Sequence, residues 1–310
     1  MENEISLREI IETLLKGKWI IAAITAVFVV IAFIYSSFIA SPVYEANTSI
    51  TINNVEPPVG SLAEYVKNGT TRDVFVEKVK SPEVLQETIE ELDLKNQSVS
   101  ALQNRLNITQ PENNEFLINL SVEGTNRDKI TSILNTVVNK AKLSIEQAMN
   151  DHFNSYQKLY AEKMEEEEKQ LEEYLKDYKE LENTEGLPLL VLFQQNASDS
   201  QYVLEANEQL LSELRDLEKE TQVEYEQVNE KISQTNERYK QFYSNYSDAK
   251  TAKSLDLVDD RINMISEAYA GYNPIAPNKV LNMAFALALG LIVSVFVVFF
   301  RFYWANTEEK

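Results

Sequence analysis

The chain has 310 residues, with 49 acidic against 29 basic side chains and a formal net charge of −20. That balance argues against binding nucleic acid or anionic headgroups, and the absence of cysteine excludes disulfides and thiolate metal sites. His152 is the single histidine, which rules out a His-rich metal centre, and no cofactor is expected.

Residues 1–18 form a short cytoplasmic segment whose pattern suits an amphipathic helix. Residues 19–40 then carry no charge, and 22 residues at 1.5 Å each are enough to cross a hydrocarbon core of roughly 30 Å. This run reads as an uncleaved anchor rather than a signal peptide. Glu2, Glu4, Glu9 and Glu12 precede it, and Phe38 stands where a cleavage site wants a small residue. A second uncharged run covers 280–300. Arg8, Lys16 and Lys18 before the first span and Arg301 after the second put both termini in the cytoplasm. Phe302, Tyr303 and Trp304 make an aromatic anchor at the inner interface. Ala22 and Ala26 on the first span, with Ala286, Gly290 and Ser294 on the second, fall four apart and offer faces for helix packing.

Between the spans lie 43 of the acidic residues. Residues 43–53 alternate with β-branched side chains and predict a strand, ended by Pro57, Pro58 and Gly60. Residues 61–80 read as helix. Ser81-Pro82-Glu83 opens another helix to about Leu94, with Ser81 as N-cap. Residues 116–122 alternate again, and 261–268 make a third strand. These elements give an α+β base, 41–125 together with 256–279, built from both ends of the outer domain.

The segment 126–255 differs. It reads as a helical hairpin, one helix over about 126–182 and a second over about 198–250, interrupted by Gly186 and Pro188. Met164, Leu171 and Tyr178 repeat at seven, as do Glu167, Tyr174 and Leu181. On the second helix the series are Val228, Thr235, Phe242, Ala249 and Ile232, Tyr239, Tyr246. Such seams are those of a coiled coil, with Tyr, Glu and Thr where Leu packs best. His152 reads as a seam or interhelical residue. The apolar run 186–193 falls near the expected turn.

No catalytic constellation emerges. The seven glycines are dispersed, and Glu165, Glu166, Glu167 and Glu168 sit on a helix dense in Glu, Lys and Gln, the pattern of a solvated face. The chain is therefore read as a non-enzyme, with no catalytic, cofactor or metal residues.

Two stretches carry a resemblance. Ser41-Pro42-Val43-Tyr44-Glu45-Ala46 follows the first span, and Tyr272-Asn273-Pro274-Ile275-Ala276-Pro277-Asn278-Lys279 precedes the second, continuing into Leu281-Asn282-Met283-Ala284. With the two-span layout, they resemble the chain-length determinant (Wzz-type) polysaccharide co-polymerases. That family carries further prolines at three-residue spacing, whereas only Pro274 and Pro277 fit here. The resemblance implies a multi-pass bacterial inner or plasma membrane protein with its central domain outside the cytoplasm. It further implies a homo-oligomeric ring beside a membrane polysaccharide polymerase, setting the length of an O-antigen, other lipopolysaccharide, capsule or exopolysaccharide chain. The tail 301–310 is too short for a kinase. The alternative reading is accordingly a membrane sensor or adaptor for a separate cytoplasmic tyrosine kinase. A hairpin-bearing efflux adaptor ranks last.

Overall fold

The computed structural model describes residues 7–95, 97–185, 192–195, 201–204 and 219–307. Helix α1 (Leu7–Lys16) leads through Gly17 into α2 (Lys18–Ile34), which a π-helical turn extends to Ile39. At the other end α10 (Lys279–Thr307) is the second helix long and apolar enough to cross a membrane.

Strand β1 (Tyr44–Ile52) starts four residues after that π turn and becomes the centre of the base. Its alternation buries Ala46, Thr48, Ile50 and Ile52, as a half-buried strand should. On one edge it pairs antiparallel with β3 (Leu117–Gly124), Tyr44 opposite Gly124, and β3 pairs in turn with β2 (Leu106–Thr109). On the other edge two short returning strands share it, β6 (Ile262–Met264) opposite 50–52 and β7 (Tyr269–Ala270) opposite 46–47. The expected strand over 261–268 is thus two pieces, with Thr48 Oγ1 donating to the Ser266 carbonyl in the gap between them. Strand β2 gave no sequence signal, because Leu106–Thr109 is too short to establish a period.

The inner sheet face packs on helices α4 (Arg72–Lys80), α5 (Pro82–Glu91), α6 (Val99–Arg105) and the first turns of α7 (Arg127–Glu185). Phe75, Val79, Val84 and Leu85 meet Ile118, Leu120 and Val122 of β3 and Ile130, Leu134, Val137 and Val138 of α7 in one core. Ser81 caps α5, its Oγ accepting from the Val84 amide at 3.3 Å. The helix expected over 61–80 is split into a 3-10 turn (Gly60–Leu62), α3 (Ala63–Gly69) and α4. Thr70 Oγ1 donates back to the Val66 carbonyl at 2.7 Å while Thr71 caps the next helix, so two hydroxyls redirect the backbone.

Helix α7 spans 59 residues, about 88 Å at 1.5 Å per residue, and α8 (Lys219–Ser254) lies against it. Of the heptad positions, Glu167, Leu171, Tyr178, Ile232, Thr235, Tyr239 and Ala249 are buried and Met164, Tyr174, Leu181, Val228, Phe242 and Tyr246 partly so; Tyr225, not named in those series, is buried with them. The buried Glu167 is not a weak point. Arg238 Nε lies 2.9 and 3.0 Å from its two carboxylate oxygens, and Arg238 Nη2 donates to Thr235 Oγ1 at 3.0 Å, which satisfies three polar seam groups together. His152 stacks on Tyr65 of α3 at 3.9 Å, an interhelical contact that joins the hairpin root to a helix of the base rather than to the second hairpin helix. Among the described residues the second helix covers Lys219–Ser254, and the start of the stretch expected as its beginning is strand: β4 (Leu192–Gln195) and β5 (Gln201–Leu204) pair antiparallel. Most of the apolar run 186–193 lies outside the described residues.

A second tie holds α8 to the base. Asp248 Oδ2 accepts from the Ser61 amide at 2.8 Å and from its hydroxyl at 2.9 Å, and Gly60 stands beside it with φ +50°. A Cβ at Gly60 falls inside the Asp248 carboxylate.

The two apolar helices pack side by side. Gly290 lets α10 approach the Thr25 backbone: a Cβ there stands 3.0 Å from Thr25 Cα and 3.2 Å from Phe28 Cβ. Ser294 and Val298 continue the buried stripe, with Ala286 partly covered, and Asn282 Nδ2 donates to Ser36 Oγ at 3.1 Å near the outer end. Ala22 and Ala26 are exposed on the far side of α2 and do not contribute to this contact.

Two outcomes are expected. Gly60→Ala destabilises the base by about 1–3 kcal/mol, the cost of a non-glycine residue in left-handed backbone, seen as a lower thermal midpoint. In the cysteine-free chain, Ser36→Cys with Asn282→Cys forms an intrachain disulfide on mild oxidation, and adding Gly290→Leu slows it severalfold by wedging α10 from Thr25 and Phe28.

Candidate functional site

The two ends of the central domain meet where the chain leaves α2 and enters α10. Residue Val43, just before β1, exchanges hydrogen bonds with the returning chain. Its amide donates to the Ala276 carbonyl at 2.9 Å, and its carbonyl accepts from Ile275 N at 2.8 Å. Pro274 and Pro277 bracket that bridge. Neither has an N–H, so the pairing stops at Ile275 and Ala276 and the chain is released to start α10. Asn278 then caps α10, its Oδ1 accepting from the Leu281 amide at 3.1 Å. Pro274 is exposed and Pro277 half-buried.

Arg127, the first residue of α7, fastens this junction from the side. Its Nη2 donates to the Ala270 carbonyl at 2.8 Å, and its guanidinium lies 4.2 Å from the Tyr272 ring centroid. A cation over an aromatic face is worth about 0.5–2 kcal/mol. Tyr272 is 77% exposed even so, and with Tyr269 and Ile275 it makes an apolar and aromatic rim around the two spans. Such a rim suits a lipid surface or a protein partner. Asn135 Oδ1 accepts from the Ala268 amide at 2.9 Å and fixes the strand behind it.

The structure therefore brings Pro274 and Pro277 to the same bridge, and aligns Gly290 and Ser294, with Ala286 at the margin, on one interhelical face. Ala22 and Ala26 stand apart from both. Sequence reasoning missed Arg127 because its partners lie more than 140 residues along the chain and nothing local marks them. Tyr272 was in the quoted motif, where only its exposure beside a proline-rich entry hinted at a contact role. No cluster of His, Asp or Glu able to hold a metal occurs among the described residues. These contacts clamp the two apolar helices and the root of the long hairpin together.

The profile of the family described as "Chain length determinant protein" (Wzz) matches residues 3–92. The chain is 32% identical over 152 residues to the Capsular polysaccharide type 8 biosynthesis protein cap8A of Staphylococcus aureus, covering 48% of this chain and 68% of that one. The same identity and coverage hold for the Capsular polysaccharide type 5 biosynthesis protein cap5A of Staphylococcus aureus strain Newman. A solved structure of a full-length bacterial polysaccharide co-polymerase overlaps 99% of this chain and 100% of its own at 16% identity, with a TM-score of 0.39. On the family profile and the capsular relatives together, the chain belongs to the Wzz chain-length determinant family.

Proposed function

We propose that this protein is an oligomeric membrane scaffold that regulates the chain length of a surface polysaccharide. The observation that carries the reading is the family match, which runs through the first apolar helix and β1, the strand that binds the returning chain at the junction. Capsular relatives make capsule the first glycan to test. The protein acts beside a membrane polymerase without chemistry of its own. Both termini face the cytoplasm, the segment 41–279 lies outside, and several protomers close into a ring. The exposed Ala22 and Ala26 are available to contacts between protomers, and the Tyr269, Tyr272 and Ile275 rim to the bilayer or the polymerase. The same match speaks for this reading over an adaptor for a separate cytoplasmic tyrosine kinase.

Polysaccharide resolved by size on a gel, with and without the gene, tests the function. Loss of a preferred length with synthesis continuing is the expected result; an unchanged distribution overturns it. Replacing Pro274 and Pro277 together with alanine is expected to broaden that distribution and to weaken the oligomer in detergent. Unchanged length and assembly remove the prolines from the mechanism.

A further inference from the structure

A cleft of 280 Å³ opens at the end of β1 remote from the spans, on the far side of the base from the junction. Its back wall is Arg261, the last residue of α9 (Leu257–Arg261), which is only 5% exposed. Nε donates to Thr70 Oγ1 and Nη1 to the Val55 carbonyl. Among the described residues no carboxylate lies within 4.0 Å of this guanidinium, and no protein group accepts from its second Nη nitrogen. That nitrogen is not one of the sealed polar atoms, and Arg261 lines the cleft. Burying a guanidinium without an opposing charge is costly, and in a chain with 20 more acidic than basic residues a partner was easily available. Burial alone pushes this guanidinium below its ordinary pKa, with no anion to hold it up.

The rest of the cleft suits an anion. Lys67 and Arg72 stand at the rim, Lys67 unpaired among the described residues and Arg72 3.8 Å from an exposed Asp73. Asp73 and Glu115 also line it, which leaves a formal surplus of one positive charge. The Asn54 amide lies in the wall, and the Phe116 ring is 38% exposed at the mouth. A planar fork takes a carboxylate or phosphate with two parallel hydrogen bonds, an amide suits hydroxyls, and an aromatic face suits a pyranose ring.

We propose that this cleft binds an oxyanion carried on a sugar, a uronate carboxylate or a sugar phosphate, with Arg261 as the fork, Lys67 and Arg72 as rim cations and Phe116 against the ring. The inference rests on the glycan-directed function proposed above, and it assigns a direct contact between the outer domain and an acidic polysaccharide.

The test uses the full chain in detergent, titrated calorimetrically with trigalacturonate, glucose 1-phosphate, inorganic phosphate and the neutral maltotriose. Trigalacturonate or glucose 1-phosphate is expected to bind, with maltotriose about tenfold weaker or more, the factor lost with a hydrogen bond to a charged group. Which of the two binds tells the carboxylate source from the phosphate. Arg72→Gln and Lys67→Gln, on the surface and safe for folding, each weaken the charged probes severalfold. Phe116→Ala weakens the sugar-bearing probes and not inorganic phosphate. Arg261→Lys removes the fork and abolishes binding if the chain stays folded; the two rim variants decide the matter if it does not. The proposal is overturned if no charged probe binds, if maltotriose binds equally well, or if the rim variants have no effect. Equal binding of inorganic phosphate and glucose 1-phosphate, with Phe116→Ala silent, overturns the sugar contact. Binding by the purified chain is read independently of polymer length, so an unchanged glycan in the gene deletion sinks the chain-length function and leaves the cleft standing.

Discussion

Strand β1 has its two edges occupied by segments from opposite ends of the outer domain. On one side β3 takes eight residues in register; on the other, β6, β7 and the Ile275–Ala276 bridge come back from beyond the hairpin. Closing a loop of more than two hundred residues costs chain entropy only logarithmically, and a handful of ladder hydrogen bonds with a shared core can meet it. Once it is closed, α2 and α10 must lie side by side, because α2 with its π turn ends, and α10 begins, within a few residues of the same bridge. The helix packing at Gly290, the Arg127 clamp and the placement of the hairpin root all follow from that pairing.

The arrangement explains why the polar groups in the seam are tolerated. A hairpin held at its base by Asp248 on Ser61, by His152 on Tyr65 and by the common core has its register set there. The Glu167–Arg238–Thr235 group then adds a second register mark farther out, since sliding either helix separates a buried carboxylate from its fork. Leucine at those positions would pack more tightly and discriminate less.

Much of this was legible in the sequence because the strong signals are periodic. The spans, β1, β3, the Ser81 cap, the long helix and its heptads are local patterns that water and geometry impose on any chain. The misses share another cause. The break at Thr70 and Thr71 and the split of β6 from β7 depend on hydroxyls finding particular carbonyls in three dimensions. The strand at 201–204 is too short to establish a period of its own. Ala22 and Ala26 have the spacing of a packing face, but spacing does not say which neighbour fills it, and both are exposed while Thr25 and Phe28 meet α10. Arg127 and Arg261 look like two ordinary cations in a charged chain; only burial and distant partners distinguish them.

The root of α7 is built into the base by its first turns, while the rest of its 59 residues run outward as one uninterrupted helix. A straight helix about 88 Å long, fixed at one end, is a lever. A turn of about 5° at the base carries the far end sideways by roughly 8 Å, more than one helical pitch. Small adjustments between the two membrane helices are thereby enlarged at a distance from the membrane, and a load on the far end is returned as torque on the bridge at Val43.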